Sequence, residues 1–246
     1  MKIIPILIKK KNSGDSMIDW HTHILPEMDD GSKTQEMSCQ MIEELCSQGV
    51  EEVFATPHFY PENGETPSDF VKRRQVSCGK LVSNPFYPHI HLGAEVSICA
   101  EIAGIDGLAL LKLGKTPYIL LEPPYEDWQE WVYQTIFAVE AKHKLKPVIA
   151  HVDRYFDIVR DKKKIWRLAE LGYTIQINTS VFRKSRFHPV YKLIKEYDRI
   201  ILGTDTHNMT SRPPRIEEKI LRKKIGASKW HEMNNYSKDL FGGVNG

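Results

Sequence analysis

The sequence predicts an α/β protein organised on a mostly parallel sheet that closes, or nearly closes, into a barrel. Three observations carry this expectation. β-Branched apolar runs alternate with helical patterns almost without interruption. The central runs YILLE (118–122), PVIAH (147–151) and RIILG (199–203) are continuously apolar up to their last residues, as strands covered on both faces must be. A length of 246 residues suits one barrel-sized domain.

Met17–His23 reads as the first strand. Ser32-Lys33-Thr34-Gln35 reads as a capping box opening a helix that runs to Gln48 and stops at Gly49. Glu52–Thr56 is the second strand, and Thr66-Pro67-Ser68-Asp69 opens a second helix with proline at its first position. Strands at His89–Val96 and Tyr118–Glu122 and a helix at Trp128–His143 follow. Pro147–His151, Tyr173–Asn178 and Arg199–Thr204 complete seven strands, with helices at Lys162–Leu171, His188–Glu196 and Arg215–Lys224. The opening segment has an apolar run of six residues followed by Lys9 to Lys11, too short to span a bilayer and in the wrong order for a signal peptide. Residues 1–16 therefore read as a flexible basic N-terminal extension, and 17–246 as a single domain without an integral membrane segment.

A formal charge of +2 excludes a strong general attraction to nucleic acid. The four cysteines lack a C-x-x-C spacing, which reads as packing in a reducing, cytoplasmic protein; Cys39 and Cys46 share one predicted helix face. Cysteine-phosphatase chemistry needs an arginine six residues beyond the thiolate. The residues found there are Leu45, Glu52, Asn84 and Ile105. No G-x-x-x-x-G-K-[ST] or G-x-S-x-G motif is present either.

The ionisable residues are informative by position. His21 and His23 end the first strand, two residues apart and so on one face of an extended chain. His58 follows the second strand, Glu95 and Glu122 close the third and fourth, and His151 closes the fifth. Asp205 and His207 follow the seventh. Six of seven apolar runs thus end in Asp, Glu or His at the carboxyl edge, where the active sites of parallel barrels form. So many buried ionisable groups in one mouth require a cation among them. Imidazole and carboxylate without thiolate suit Zn, Mn or Fe. With Asp30, which precedes Gly31, the candidates number nine, more than one ion holds, so two or three ions are expected. Asp29 reads as a loop residue. Arg154 and Arg212, on loops at the same mouth, have the planar fork that chelates a phosphoryl group. Pro213-Pro214 stiffens the second of these loops.

Taken together, DWHTHILPEMDDGSKT, ATPHFYP, LGAEV, LLE, IAHVDRY and GTDTHNMTSRPP resemble the polymerase-and-histidinol-phosphatase (PHP) family. The resemblance is to its bacterial branch of manganese-dependent protein-tyrosine phosphatases linked to capsule and exopolysaccharide synthesis, and it runs from Met17 to the C-terminus. It implies a distorted seven-stranded (β/α) TIM-like barrel with a three-ion site, of Mn or else Fe or Zn. It assigns His21, His23, Glu95 and Asp205 to one ion, with Glu95 bridging to a second completed by Glu122 and His151. Asp30, His58 and His207 hold the third, and Arg154 and Arg212 bind the substrate phosphate. The implied substrate is phosphotyrosine in the tyrosine-rich C-terminal tail of a partner autokinase. Self-association into a homo-oligomer is left open. Two other readings share the metal site: a histidinol-phosphate or small phosphoester phosphatase, and, further off, a metal-dependent nuclease or non-catalytic regulator.

Overall fold

The computed structural model describes residues 17–185, 187–216 and 218–242; the expected extension at 1–16 lies outside them. The strands are β1 Met17–Thr22, β2 Val50–Ala55, β3 His58–Phe59, β4 His89–Leu92, β5 Glu95–Ser97, β6 Tyr118–Glu122, β7 Lys146–Ile149, β8 Thr174–Asn178 and β9 Ile200–Gly203. The helices are α1 Gln35–Ser47, α2 Pro67–Cys78, α3 Glu130–His143, α4 Val152–Tyr155, α5 Lys163–Glu170, α6 Val190–Glu196, α7 Glu218–Ile225 and α8 Ala227–Gly242.

All strand pairing is parallel, in two sheets ordered β1-β2-β4 and β3-β5-β6-β7-β8-β9. The observed architecture is therefore an α/β fold with two parallel sheets, and among the described residues the pairing does not join them into one closed sheet. The predicted strand His89–Val96 is broken into β4 and β5, and a further short strand, β3, follows β2 beyond the predicted Glu52–Thr56. Pro57 has no N–H to donate, so the ladder lapses between β2 and β3. Beside it, a Cβ on Gly93 would stand 2.8 Å from Leu113 Cδ2 and 3.3 Å from Thr56 Cγ2, so a larger residue between β4 and β5 would have to displace the Leu113 side chain. Main-chain bonds bridge the lapse, Gly93 N to Ala55 O at 2.9 Å and Glu95 N to Pro57 O at 3.1 Å. At the other sheet margin, β1 runs beside the segment after β9. Asp205 N donates to His21 O at 2.8 Å, and His23 N donates to Thr206 O at 2.9 Å.

Helix starts follow local chemistry with one correction. Thr34, not Ser32, caps α1, its hydroxyl accepting from Met37 N, while Ser32 is turned to Ser38 and the Thr34 carbonyl. Thr66 caps α2 with Pro67 at the first helical position, as expected. The helices α4 and α8 lie beyond the predicted set. Cys46 on α1 is buried and its thiol donates to Phe86 O, whereas Cys39 is only half-buried. Among the described residues no helix is long and apolar enough to cross a membrane.

Two apolar layers sit on either side of the strands. The larger lies under the helices and includes Met41, Ile42, Phe70, Ile136, Val139 and Leu168. The smaller is formed by Ile18, Trp20, Phe54, Leu120, Val148 and Ile201 with Leu240 of α8. Trp20 stacks on Phe54 with centroids 4.4 Å apart, and its indole N–H donates to Ser237 Oγ of α8 at 2.6 Å. This layer supports the strand ends from which the ionisable cluster rises.

Candidate metal centre

His21 and His23 converge at the end of β1, as the sequence predicts. β1 ends at Thr22, and its register against β2 is irregular between Asp19 and Thr22. A bulge of this kind re-aims side chains. Trp20 enters the apolar layer while its neighbour His21 reaches the cluster, and the two Nε2 atoms come within 3.1 Å.

Hydrogen bonds behind the rings decide which lone pairs face the centre. His21 Nδ1 lies 3.1 Å from the Gln176 carbonyl oxygen, an acceptor, so this nitrogen carries the proton. His23 Nδ1 is 2.6 Å from Asp29 Oδ2, and His207 Nδ1 is 3.0 Å from the Asp205 carbonyl. In the neutral rings all three Nε2 atoms then point inward as acceptors. Acceptors 3.1 Å apart repel unless a cation lies among them. The buried atoms His58 Nδ1, Glu95 Oε2, His151 Nδ1 and His207 Nε2 have no hydrogen-bond partner. A donor set of this chemistry fits divalent metal ions.

The candidate ligands form overlapping groups whose donor atoms lie within 4.8 Å of one another: His23, Asp30, His58 and His207; His21, His23 and Glu95; His58, Glu95 and Glu122. Glu95 is central, its Oε2 3.0 Å from His21 Nε2 and 3.1 Å from both His23 Nε2 and His58 Nδ1. His151 Nε2 stands 2.7 Å from Glu95 Oε1 and 3.2 Å from Glu122 Oε1, though it joins none of the three groups. Asp205 also stands outside them, 3.8 and 3.6 Å from the His21 and His23 Nε2 atoms. Its carboxylate is gripped from behind by Arg154, by Arg212 Nη2 at 2.5 Å and by Asn178 Nδ2 at 2.8 Å. All eleven predicted residues, nine ligands and two arginines, therefore meet in one place. His151 and Asp205 both hold left-handed backbone, φ 30° and 52°, a strain that non-glycine residues carry where the site requires it.

The electrostatics follow this crowding. Burial opposes protonation of His23, but the Asp29 carboxylate overcomes it and raises the imidazole to about 10. Burial likewise opposes protonation of His151, while hydrogen bonds to Glu122 and Glu95 bring it up to about 9. His207 goes the other way, pushed down to about 3 by burial and by the charge on His23. Asp205 resists desolvation because His21 and Arg154 hold its carboxyl below the usual carboxylate range. Positive charge is what this centre demands.

Sequence reasoning missed three supporting side chains. Asp29 lies in a loop, as expected, but its side chain is buried, orients His23, and accepts from the main-chain N–H of His58 at 2.9 Å and Gly31 at 2.8 Å. Gln176 and Asn178, on β8, the one predicted strand without a terminal ligand, orient His21 and Asp205. The signal for them is the polar residues Thr174, Gln176 and Asn178 at period two in TIQIN, where the other strand cores are continuously apolar. The Arg212 loop is also held by Asn208, whose Oδ1 accepts from the main-chain N–H of Thr210, Ser211 and Arg212 at 2.8 to 3.1 Å.

Comparison with known proteins identifies the family. The family model for capsular polysaccharide synthesis, CpsB/CapC, matches residues 17–238. The chain is 28% identical over 234 residues to tyrosine-protein phosphatase CpsB of Streptococcus agalactiae serotype III (strain NEM316), covering 88% of this chain and 94% of that relative. It is 28% identical over 221 residues to tyrosine-protein phosphatase YwqE of Bacillus subtilis (strain 168), covering 86% of each. A solved structure from work on YwqE of Bacillus subtilis and CpsB of Streptococcus pneumoniae, described as unique metal-dependent tyrosine phosphatases, superposes with a TM-score of 0.73 at 26% identity. It covers 91% of this chain and 94% of that one.

Proposed function

The chain belongs to the capsular polysaccharide synthesis CpsB/CapC family, and from that premise we propose that it is a metal-dependent protein-tyrosine phosphatase, a phosphoric monoester hydrolase. The observation that carries the reading is the trio of histidines fixed with their Nε2 lone pairs converging on Glu95 and Asp30, backed by the Arg154–Arg212 pair. The relatives' shared activity supports the choice of leaving group.

His21, His23, Asp30, His58, Glu95, Glu122, His151, Asp205 and His207 are the proposed ligands of three divalent ions, with Mn favoured over Fe or Zn through the PHP resemblance. When bound, such ions supply a water acidic enough to attack phosphorus near neutral pH and offset charge on the phosphoryl oxygens. Arg154 and Arg212 hold the phosphoryl group and stabilise the charge it develops. Asp29 and Gln176 keep the histidines in the tautomer that leaves Nε2 free. A tyrosyl leaving group, with a pKa of about 10, needs less help from a general acid than an alkyl alcohol.

The family's link to capsule synthesis supports a tyrosine autokinase controlling polysaccharide export as the substrate protein, and the cytoplasm as the compartment. We also read the two sheets as one distorted seven-stranded barrel, in which β2–β3 and β4–β5 are single interrupted strands. The main-chain bonds from β1 to Asp205 and Thr206 support that closure.

Turnover of a phosphotyrosine peptide, histidinol phosphate and a phosphoserine peptide by the Mn-loaded protein tests the reading. The phosphotyrosine peptide is expected to lead, and a preference for histidinol phosphate would overturn the assignment. His151→Ala and Asp205→Asn are expected to lose both bound metal and activity; full retention of both would remove the metal centre from the mechanism.

A further inference from the structure

A cavity of about 290 Å³ opens at the arginine pair, between the segment after β8 and the loop after β9, and none of the candidate histidines is among its described lining residues. Among the described residues its lining carries four arginines, Arg154, Arg183, Arg212 and Arg215, against the one carboxylate of Asp205. That carboxylate is already committed to Arg154, Arg212 and Asn178. The cavity is thus an electropositive recess beside the place where the phosphoryl group is held.

Arg215 is set apart from the phosphate clamp. It is exposed, and among the described residues nothing pairs with its guanidinium, while its main-chain carbonyl is anchored by Thr179 Oγ1 at 2.6 Å. Pro213 and Pro214 separate it from Arg212 and fix φ at both intervening positions, so the spacing of the two cations is stiff. Three residues of chain span at most about 10 Å, within reach of neighbouring side chains on one extended peptide. Phe182 and Pro213 add apolar wall that suits a methylene stem.

We propose that this cavity is a subsite for an anionic group, a carboxylate or a second phosphate, on the peptide residue next to the phosphotyrosine, with Arg215 as its recognition residue. The proposal rests on the phosphatase reading above and adds a charge rule for its substrates. A guanidinium receives either anion through paired N–H donors, and the recess would disfavour a lysine in the same position.

The test is the affinity, by fluorescence anisotropy, of phosphotyrosine peptides carrying Glu, phosphoserine, Ala or Lys before or after the phosphotyrosine. With the wild-type protein at least one anionic neighbour is expected to bind about three- to tenfold tighter than Ala, with Lys weakest. Tight binding of Glu assigns the subsite to a carboxylate, and of phosphoserine alone to a second phosphate. Arg215→Ala should flatten the ranking and Arg215→Glu should reverse it towards Lys; both substitutions are at an exposed position, and circular dichroism checks their fold. No dependence on the neighbouring charge, or an acidic preference that survives Arg215→Glu, would overturn the proposal. Hydrolysis of phenyl phosphate, which has no neighbouring residue, reports on the phosphatase reading separately. The anisotropy ranking decides the subsite whether or not that hydrolysis occurs.

Discussion

Asp29 and Asp30 are neighbours in sequence with opposite circumstances: the Asp29 side chain is 5% exposed behind His23, and that of Asp30 is 64% exposed in front of His207. Asp30→Ala should remove one donor and lower the number of ions bound, read by metal analysis. Asp29→Asn should leave the donor count intact yet weaken metal affinity by about 10- to 100-fold, the usual cost of losing the partner that orients a histidine ligand. The arginines divide differently. Arg154→Lys or Arg212→Lys keeps the charge but loses the fork, and kcat/KM for a phosphotyrosine peptide should fall by about 100-fold with metal content unchanged. In the metal-free chain His23 and His151, raised to about 10 and 9, are both protonated at pH 7. Metal uptake must displace those protons, so loading should acidify an unbuffered solution, and apparent affinity should rise with pH until the two groups have titrated. Potentiometric metal titration reads both effects.

The strands were legible because their composition is their environment: YILLE can only be a strand buried on both sides. The ligands at their ends were legible because residue type there states the chemistry. Asp29 and Gln176 were not, because their role is the direction of a hydrogen bond, which exists only once β1, β8 and the loop after β1 are packed together. The helix α8 escaped for another reason. Its buried face, Trp230, Met233, Asn234, Ser237 and Leu240, keeps helical spacing but includes two polar residues, so its apolar stripe is broken. Elements approach closely where β9 passes β1. A Cβ at Gly203 would stand 2.6 Å from His21 Cβ and 2.9 Å from Gln176 Nε2. Gly203→Ala should therefore destabilise the fold by about 1 to 3 kcal/mol in denaturant titration and weaken metal binding together with it.

Across the whole molecule, a centre built from four carboxylates and five imidazoles makes stability depend on what is bound. Ions that bind only the folded chain, at a concentration about 100 times their dissociation constant, add about 2.7 kcal/mol, or about 5 to 10 °C in Tm for a domain of this size. Chelation should lower the melting temperature by that amount and re-addition of Mn should restore it. The stitch between His21 and Asp205 has a consequence for biosynthesis. These residues approach the centre from opposite ends of the chain, and each main-chain bond joining them closes a loop of more than 180 residues. While the chain is still emerging from the ribosome, the first two histidines exist without Asp205, His207 and Arg212. Completion of the centre is thereby deferred until the last strand has left the exit tunnel, because a chain truncated before it lacks two of the nine proposed ligands, Asp205 and His207, together with Arg212.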